Sequence, residues 1–250
     1  MMATKRFVKQ IEDYDPDVIH LHNLHGYYLN IEVLFGYLKS ANKPVVWTLH
    51  DCWPFTGHCA HFDYIGCEKW KTACGECPQK SDYPVCNGVD GSRRNYLRKK
   101  EAFVGLDNLT IVTPSKWLGE LVKESFLREY PIAVINNGID LESFKPAESD
   151  FRKRYNITDK KIILGVAQVW GARKGLKYFI ELASILDNDF KIVLVGLTDK
   201  EKQFLPANII GLSRTNSIQE LIEIYTAADV FVNPTLEEVF GMTNVEALAC

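Results

Sequence analysis

Ala228-Asp-Val-Phe-Val-Asn-Pro234, then Thr235-Leu-Glu-Glu-Val-Phe-Gly241, then Met242-Thr-Asn-Val-Glu-Ala-Leu-Ala249 form one unbroken run near the end of a 250-residue chain. The apolar stretch ending at Pro234 predicts a buried strand. Thr243 to Ala249 predicts a helix start, and Gly241 in a polar loop joins the two. Glu238 and Glu246, with seven residues between them, then stand on either side of a helix N-terminus. Unpaired backbone N–H groups and the helix dipole at such a terminus suit a phosphate. A carboxylate about one turn into the helix can accept from sugar hydroxyls, and one at the strand end can face a second sugar.

The same alternation runs outward along the chain. Strands are predicted at 18–21, 45–49, 110–113, 132–135, 162–167, 191–195, 209–212 and 230–233. Most are apolar and β-branched without polar alternation, as in strands covered on both faces. Helices fit between them at 31–40, 93–104, 118–127, 176–186 and 218–227, the last opened by a Ser217-Ile-Gln-Glu220 capping box. Residues 6–14 form an amphipathic segment. This β-α-β order predicts an α/β protein with parallel sheets and helices on both faces. Gly138 to Ala147, rich in Gly, Pro and charge, breaks the pattern and sets a domain boundary near Lys145.

Composition excludes several classes. The net charge is −3 and 46% of residues are hydrophobic, ordinary values for a globular chain. There is no basic run with interleaved aromatics, so nucleic acid is not expected as a partner. No apolar stretch approaches the ~20 residues of a membrane span, and the N-terminus has no apolar signal core. A cytoplasmic protein is the expectation, with peripheral membrane contact left open.

Three groups of residues carry chemistry. In Gly165-Val-Ala-Gln-Val-Trp-Gly-Ala-Arg-Lys-Gly175 a strand gives way to a loop, and Arg173 and Lys174 precede a helix, where a lysine can reach a diphosphate. Backbone N–H groups near Met242 and Thr243 would share that load. All six histidines fall in the first 61 residues. His20 and His22 share one face of a strand, and His50 ends the next. Ligands of open α/β sheets bind beyond strand carboxyl ends, which favours His50 as a site residue and leaves His22 and Asn23 even; His20 reads as structural. The third group is cysteine: Cys52, Cys59, Cys67, Cys74, Cys77 and Cys86 crowd one loop. Cys74-Gly-Glu-Cys77 has metal-knuckle spacing, and Cys59 and Cys67 complete a set of four for structural zinc. Cys52 or Cys86 could replace Cys59. Disulfides and free thiols are the competing readings.

These motifs, taken together, resemble the retaining glycosyltransferases of the GT-B fold, family 4 type. The paired acids resemble the E-x7-E motif of that family. Asn136-Asn-Gly-Ile-Asp140 is similar to its turn at the entry to the second domain. Gly165–Gly175 and Lys191-Ile-Val-Leu-Val-Gly196 are similar to its strand–loop–helix and following strand. Asp17-Val-Ile-His-Leu-His22 and Val45-Val-Trp-Thr-Leu-His-Asp51 resemble two acceptor-domain strands, the second ending in the active-site histidine. One departure is Gln168, at the place where many relatives carry arginine; Arg173 could substitute in part.

The resemblance implies two Rossmann-like domains: an acceptor side at 1–145 with a Cys-rich loop at 50–90, and a nucleotide-sugar side at 146–250. Both would be incomplete, since the family would add elements before and after this chain. It implies hexosyl transfer from a nucleotide diphosphate sugar to a glycan or lipid-linked acceptor with retention of configuration, and no catalytic metal. Catalytic roles would fall to His50, Glu238 and Lys174, and donor binding to Arg173, Lys174, Glu238, Met242, Thr243 and Glu246. A nucleotide-sugar epimerase and a non-catalytic zinc-stabilised module are the alternatives.

Overall fold

The computed structural model describes all residues except Tyr27, Cys86 and Asn87. The chain divides into two compact units, Met1–Asn136 and Asn137–Cys250. The expected boundary near Lys145 lies nine residues later than the division at Asn136. The intervening segment packs with the second unit: Phe144 lies against its core, and Ala147 N–H donates to Thr226 Oγ1 at 3.2 Å.

The first unit runs α1 (Met2–Tyr14), β1 (Ile19–Leu21), α2 (Ile31–Ala41), β2 (Val45–Thr48), α3 (Ser92–Phe103), β3 (Leu109–Thr113), α4 (Lys116–Glu124) and β4 (Ile132–Val134). Its sheet has the order β1-β2-β3-β4, with parallel pairing throughout. Helix starts follow local chemistry: Asn30 Oδ1 accepts the Val33 N–H at 2.9 Å, and Ser115 Oγ accepts that of Leu118 at 3.3 Å. Such caps satisfy donors that a helix cannot pair internally. The core is aromatic. Phe35, Trp47 and Phe103 are buried, and Phe103 lies 4.6 Å from Phe35 and 4.9 Å from Trp47 between ring centroids. Burying a side chain of Phe size contributes roughly 1.5–3 kcal/mol. Among the described residues between β2 and α3, the regular elements are short 3-10 turns, at Trp53–Phe55, Asp63–Ile65 and Lys69–Lys71.

The second unit runs α5 (Phe151–Arg154), β5 (Lys161–Val166), α6 (Leu176–Ala183), β6 (Phe190–Val195), α7 (Asp199–Lys202), β7 (Ile209–Leu212), α8 (Ile218–Ala227), β8 (Val230–Phe231) and α9 (Met242–Ala249). Its parallel sheet has the order β7-β6-β5-β8. One apolar cluster contains Leu164, Val193 and Tyr225, and the other contains Ile163, Phe179 and Leu194. Leu164 and Ile163 are successive residues of β5, so the clusters cover opposite faces of the sheet. Arg152 ties α5 to the β8 entry, donating to Ala227 O and to Asp229 Oδ2 at 2.6 Å.

Three expectations are corrected. The strand predicted at 230–233 is only Val230–Phe231, and Val230 is 53% exposed; it is the edge strand of its sheet, so an apolar run here marks no double-sided burial. Strands β1 and β2 alternate in burial where continuous burial was expected, while β5 and β6 are covered on both faces. The capping box at Ser217 is half formed. Ser217 Oγ accepts the Glu220 N–H at 3.1 Å, but Glu220 Oε2 takes the N–H of Asn216 instead. A complete box occurs at Thr198 and Glu201 on α7, a helix too short to show a period.

Candidate active site

The second unit gathers its chemistry at the carboxyl end of β5 and β8. After β5 the chain loops through Gln168 and Trp170, then Gly175 caps α6 with φ of 77°. A Cβ at Gly175 would stand 2.7 Å from Pro234 O, so the Lys174-Gly175 turn lies directly against the end of β8. Leu236 N–H donates to Arg173 O at 2.9 Å. Arg173 Nη1 donates to Glu237 O at 2.9 Å. Thr235 Oγ1 donates to Arg173 O, 3.2 Å away. Two loops distant in sequence are thus sewn together.

Lys174 Nζ donates to Glu238 Oε2 at 2.5 Å, with both side chains about a quarter exposed. Gly241, at φ of 71°, precedes α9. A Cβ there would lie 3.1 Å from Glu238 Cγ and 2.7 Å from Asn244 Nδ2. The lysine–carboxylate pair therefore sits at the α9 N-terminus, beside the first-turn residues Met242 and Thr243. No side chain caps that terminus. Asn233 Nδ2 donates to Asn244 Oδ1 at 3.0 Å and ties the strand exit to the helix.

Glu246 is held from below. Tyr225, buried on α8, donates its hydroxyl to Glu246 Oε2 at 2.8 Å. Burial first, and then the neighbouring carboxylate, push the Tyr225 phenol far above its ordinary pKa. It stays a donor at any working pH, and one Glu246 oxygen is fixed while the group remains partly exposed.

All the expected donor residues are thus in the second unit, with Arg173 committed to the Glu237 carbonyl rather than reaching outward. Sequence reasoning missed Tyr225, Asn233, Asn244 and the buried Glu237. It also missed Arg214, whose Nη2 reaches Gln168 O at 3.4 Å. A guanidinium therefore stands beside Gln168 after all, supplied from the end of β7. The signal available for Tyr225 was a tyrosine eight residues after the Ser217 cap in an apolar helix, which by itself reads as core.

The first unit holds a histidine cluster. His50 follows β2, and its Nε2 lies 2.9 Å from His22 Nδ1, with the two rings stacked at 5.3 Å. His20 meets Thr48 Oγ1 at 2.8 Å and lies 4.2 Å from the His22 ring. Desolvation, then the proximity of His20 and His50, lowers the His22 pKa. Next to His50, Asp51 binds His25 Nε2 at 2.9 Å and accepts the Trp53 N–H at 2.8 Å. Lys99, unforeseen and fully buried, donates to Trp53 O and Thr56 O at 2.7 and 3.0 Å. Its ammonium lies 3.5 Å from the Trp53 ring centre, and burial holds its pKa well below the ordinary value. A cavity of ≈240 Å³ opens here, lined by His25, Asn30, Trp53, His58 and Lys99 among others.

Cys59, Cys67, Cys74 and Cys77 line one small cavity in the loop between β2 and α3. These four, with Cys52 and Cys250, are free of disulfides. Cys86, considered above as a substitute ligand, lies outside the described residues. Among the described residues no helix is long and apolar enough to cross a membrane.

Two parallel α/β units with a helix N-terminus flanked by acids define a class, and solved structures share the architecture. Sucrose-phosphate synthase from Thermosynechococcus elongatus aligns with a TM-score of 0.66 at 19% identity, covering 99% of this chain and 58% of that one. Anabaena HepE, solved with UDP-glucose, aligns at 0.62 and 15%, covering 99% and 60%. The fold is GT-B. The family model for glycosyltransferase family 4 matches residues 1–143, and that for glycosyl transferases group 1 matches 147–250. The chain belongs to the family 4 (group 1) glycosyltransferases. Among curated proteins it is 35% identical over 133 residues to the putative colanic acid biosynthesis glycosyl transferase WcaC of Escherichia coli K12. That match covers 50% of this chain and 32% of WcaC. It is 33% identical over 144 residues to the Campylobacter jejuni N,N'-diacetylbacillosaminyl-diphospho-undecaprenol alpha-1,3-N-acetylgalactosaminyltransferase, covering 52% and 37%. The chain thus matches about a third of the length of each of these relatives.

Proposed function

We propose that the protein carrying this chain transfers a hexosyl unit from a nucleoside diphosphate sugar to a glycan or lipid-linked acceptor, with retention of configuration. The observation that supports this most directly is the Lys174–Glu238 pair at the α9 N-terminus, with Glu246 anchored by Tyr225 about one turn further on. A cation and first-turn N–H groups stabilise a diphosphate where charge develops as it leaves. Glu246 accepts from ribose hydroxyls, and Glu238 faces the donor sugar. Arg173 serves the site by holding the 235–238 loop in place.

On the acceptor side His50, steadied by His22, orients or polarises a group near the reacting centre; it is not assigned as a general base. The reaction needs no catalytic metal under this scheme. The lipid-linked substrate in the Campylobacter relative's name, and the UDP-glucose bound by HepE, favour these substrate classes. A lipid-linked acceptor would place the first unit against the cytoplasmic face of a membrane.

Incubation with a panel of nucleoside diphosphate sugars, with and without polyprenyl diphosphate-linked acceptors, followed by mass spectrometry, tests the proposal. Product that gains a hexose mass only with acceptor present is expected. Free or epimerised sugar made without acceptor would replace transfer by epimerisation. Nucleotide binding with no turnover on any acceptor would favour a binding module.

A further inference from the structure

The loop between β2 and α3 is long and rich in aromatics, and among its described residues the regular elements are 3-10 turns, which leaves its stability to whatever its side chains share. Four thiols converge inside it. The Cys59 and Cys77 side chains hydrogen-bond to each other, and Cys67 and Cys74 are near enough to act electrostatically on Cys59. The cavity that all four line is only ≈10 Å³ and is walled by Phe62, Trp70 and Pro78, room for a single atom-sized guest.

Backbone donors already point at the sulphurs. Gly57 N–H donates to Cys74 Sγ at 3.1 Å, and Gln79 N–H reaches the Cys77 sulphur. N–H···S bonds of this kind stabilise thiolates and orient metal ligands. The Cys74-Gly-Glu-Cys77 turn is braced from outside: Lys69 Nζ donates to Gly75 O and Glu76 O, both at 2.9 Å. Asp90 accepts the Cys77 N–H, also at 2.9 Å. Gly57 has no room for a side chain, since a Cβ would lie 2.2 Å from Ser92 O. The chain has thus been drawn tight around the sulphurs.

The four side chains do not stand as a closed shell. Among the described residues, no group of three or more His, Cys, Asp or Glu is arranged as a metal centre. We propose that Zn²⁺ closes this shell, taking Cys59, Cys67, Cys74 and Cys77 as a structural tetrathiolate site through rotation of their side chains. Tetrahedral Zn–S bonds of about 2.3 Å match a pocket of this size. The step balances as four thiols plus Zn²⁺ giving a zinc tetrathiolate of net charge −2 and four protons released to solvent. Lys69 beside Cys77 supplies positive charge on one side. The site would brace the loop that begins at Asp51, next to His50. The proposal is independent of the transfer reaction and survives or fails without it.

The chain purified without chelator should contain about one zinc by elemental analysis. Exchange with Co²⁺ alone should give the intense visible absorption of tetrahedral cobalt with thiolate charge-transfer bands. Cys67→Ser and Cys77→Ser should each lose most of the metal, while Cys250→Ser keeps it. Because the cysteine variants are vulnerable to misfolding, the cobalt spectrum of the unaltered chain stands as the second measurement. Four freely titratable thiols in this loop after Zn²⁺ loading, or octahedral cobalt, would overturn the site. A mass deficit showing disulfides among the four would overturn it too.

Discussion

At the scale of single residues, the placement of the two candidate carboxylates was legible because their spacing straddles a strand–turn–helix junction. What holds them was not. Tyr225 reads as one more apolar helix residue in sequence, yet it is the donor that fixes Glu246. Glu246→Ala is expected to weaken nucleotide-sugar binding by about 1.5–3 kcal/mol, the worth of a hydrogen bond to a charged group. Tyr225→Phe should weaken it less, by about 1 kcal/mol, because the carboxylate stays but loses its orientation. Calorimetry giving equal losses, or none for Glu246→Ala, would remove the ribose assignment. The His22–His50 contact was likewise out of reach of sequence, because 28 residues separate the two rings. His50→Ala should slow turnover at least about tenfold, or 1.4 kcal/mol of barrier, with nucleotide affinity little changed; a near-normal rate would return His50 to a packing role.

Elements were more legible than residues, because strand and helix periods are properties of whole segments. Every strand predicted from apolar runs exists, and β7 and α8 keep their predicted limits. The failures were at the ends of elements and in short ones. Phe151–Arg154 and Asp199–Lys202 are four-residue helices, and they offer no period to read. The Ser217 and Thr198 caps are completed differently. Thr198 and Glu201 satisfy each other's backbone, whereas Ser217 works without its partner. Ser217→Ala should still cost about 1 kcal/mol, since the Glu220 N–H loses its acceptor; thermal unfolding of the second unit reads this out, and no shift would mean water caps the helix equally well.

The sheet–helix contact in that unit is tighter still. A Cβ at Gly165 would stand 2.5 Å from Phe179 and 2.9 Å from Leu194. Gly165→Ala should therefore destabilise the unit by about 1–3 kcal/mol through overpacking. An unchanged melting temperature would show that Phe179 swings aside freely.

For the whole molecule, two units were foreseen, and the expected boundary near Lys145 falls between the two family-model matches, whereas the compact units divide at Asn136 because Phe144 packs with the second. The units also differ in how acid reaches them. His22 has a folded pKa below its ordinary 6.5. The unfolded first unit therefore takes up this proton first, and the associated stability is complete above about pH 6.5 and lost as pH falls below it. Asp229 in the second unit is partly desolvated, which raises its pKa. The Ile162 N–H and Arg152 outweigh that and hold it below 3.8. Its contribution is complete above about pH 3.8 and lost only as pH falls through the depressed value. The first unit is expected to loosen at the higher pH. Trp170 is the sole tryptophan of the second unit, so emission compared between the chain and Trp170→Phe separates the two transitions. Coincident acid transitions would refute the difference.

The Lys174–Glu238 pair has one further consequence. A lysine already engaged by its own carboxylate is not a standing trap for stray anions. Inorganic phosphate or chloride must compete with a partner that never diffuses away, so weak ligands are screened out before chemistry is at stake. A diphosphate brings more charge and can displace Glu238, and in the proposed reaction that displacement turns the freed carboxylate toward the incoming sugar. Under that scheme, arrival of the right ligand and release of the carboxylate would be one event. Under the proposed reaction, lysine and glutamate would recombine as the nucleotide leaves, and the site would carry its own counter-ion for product release.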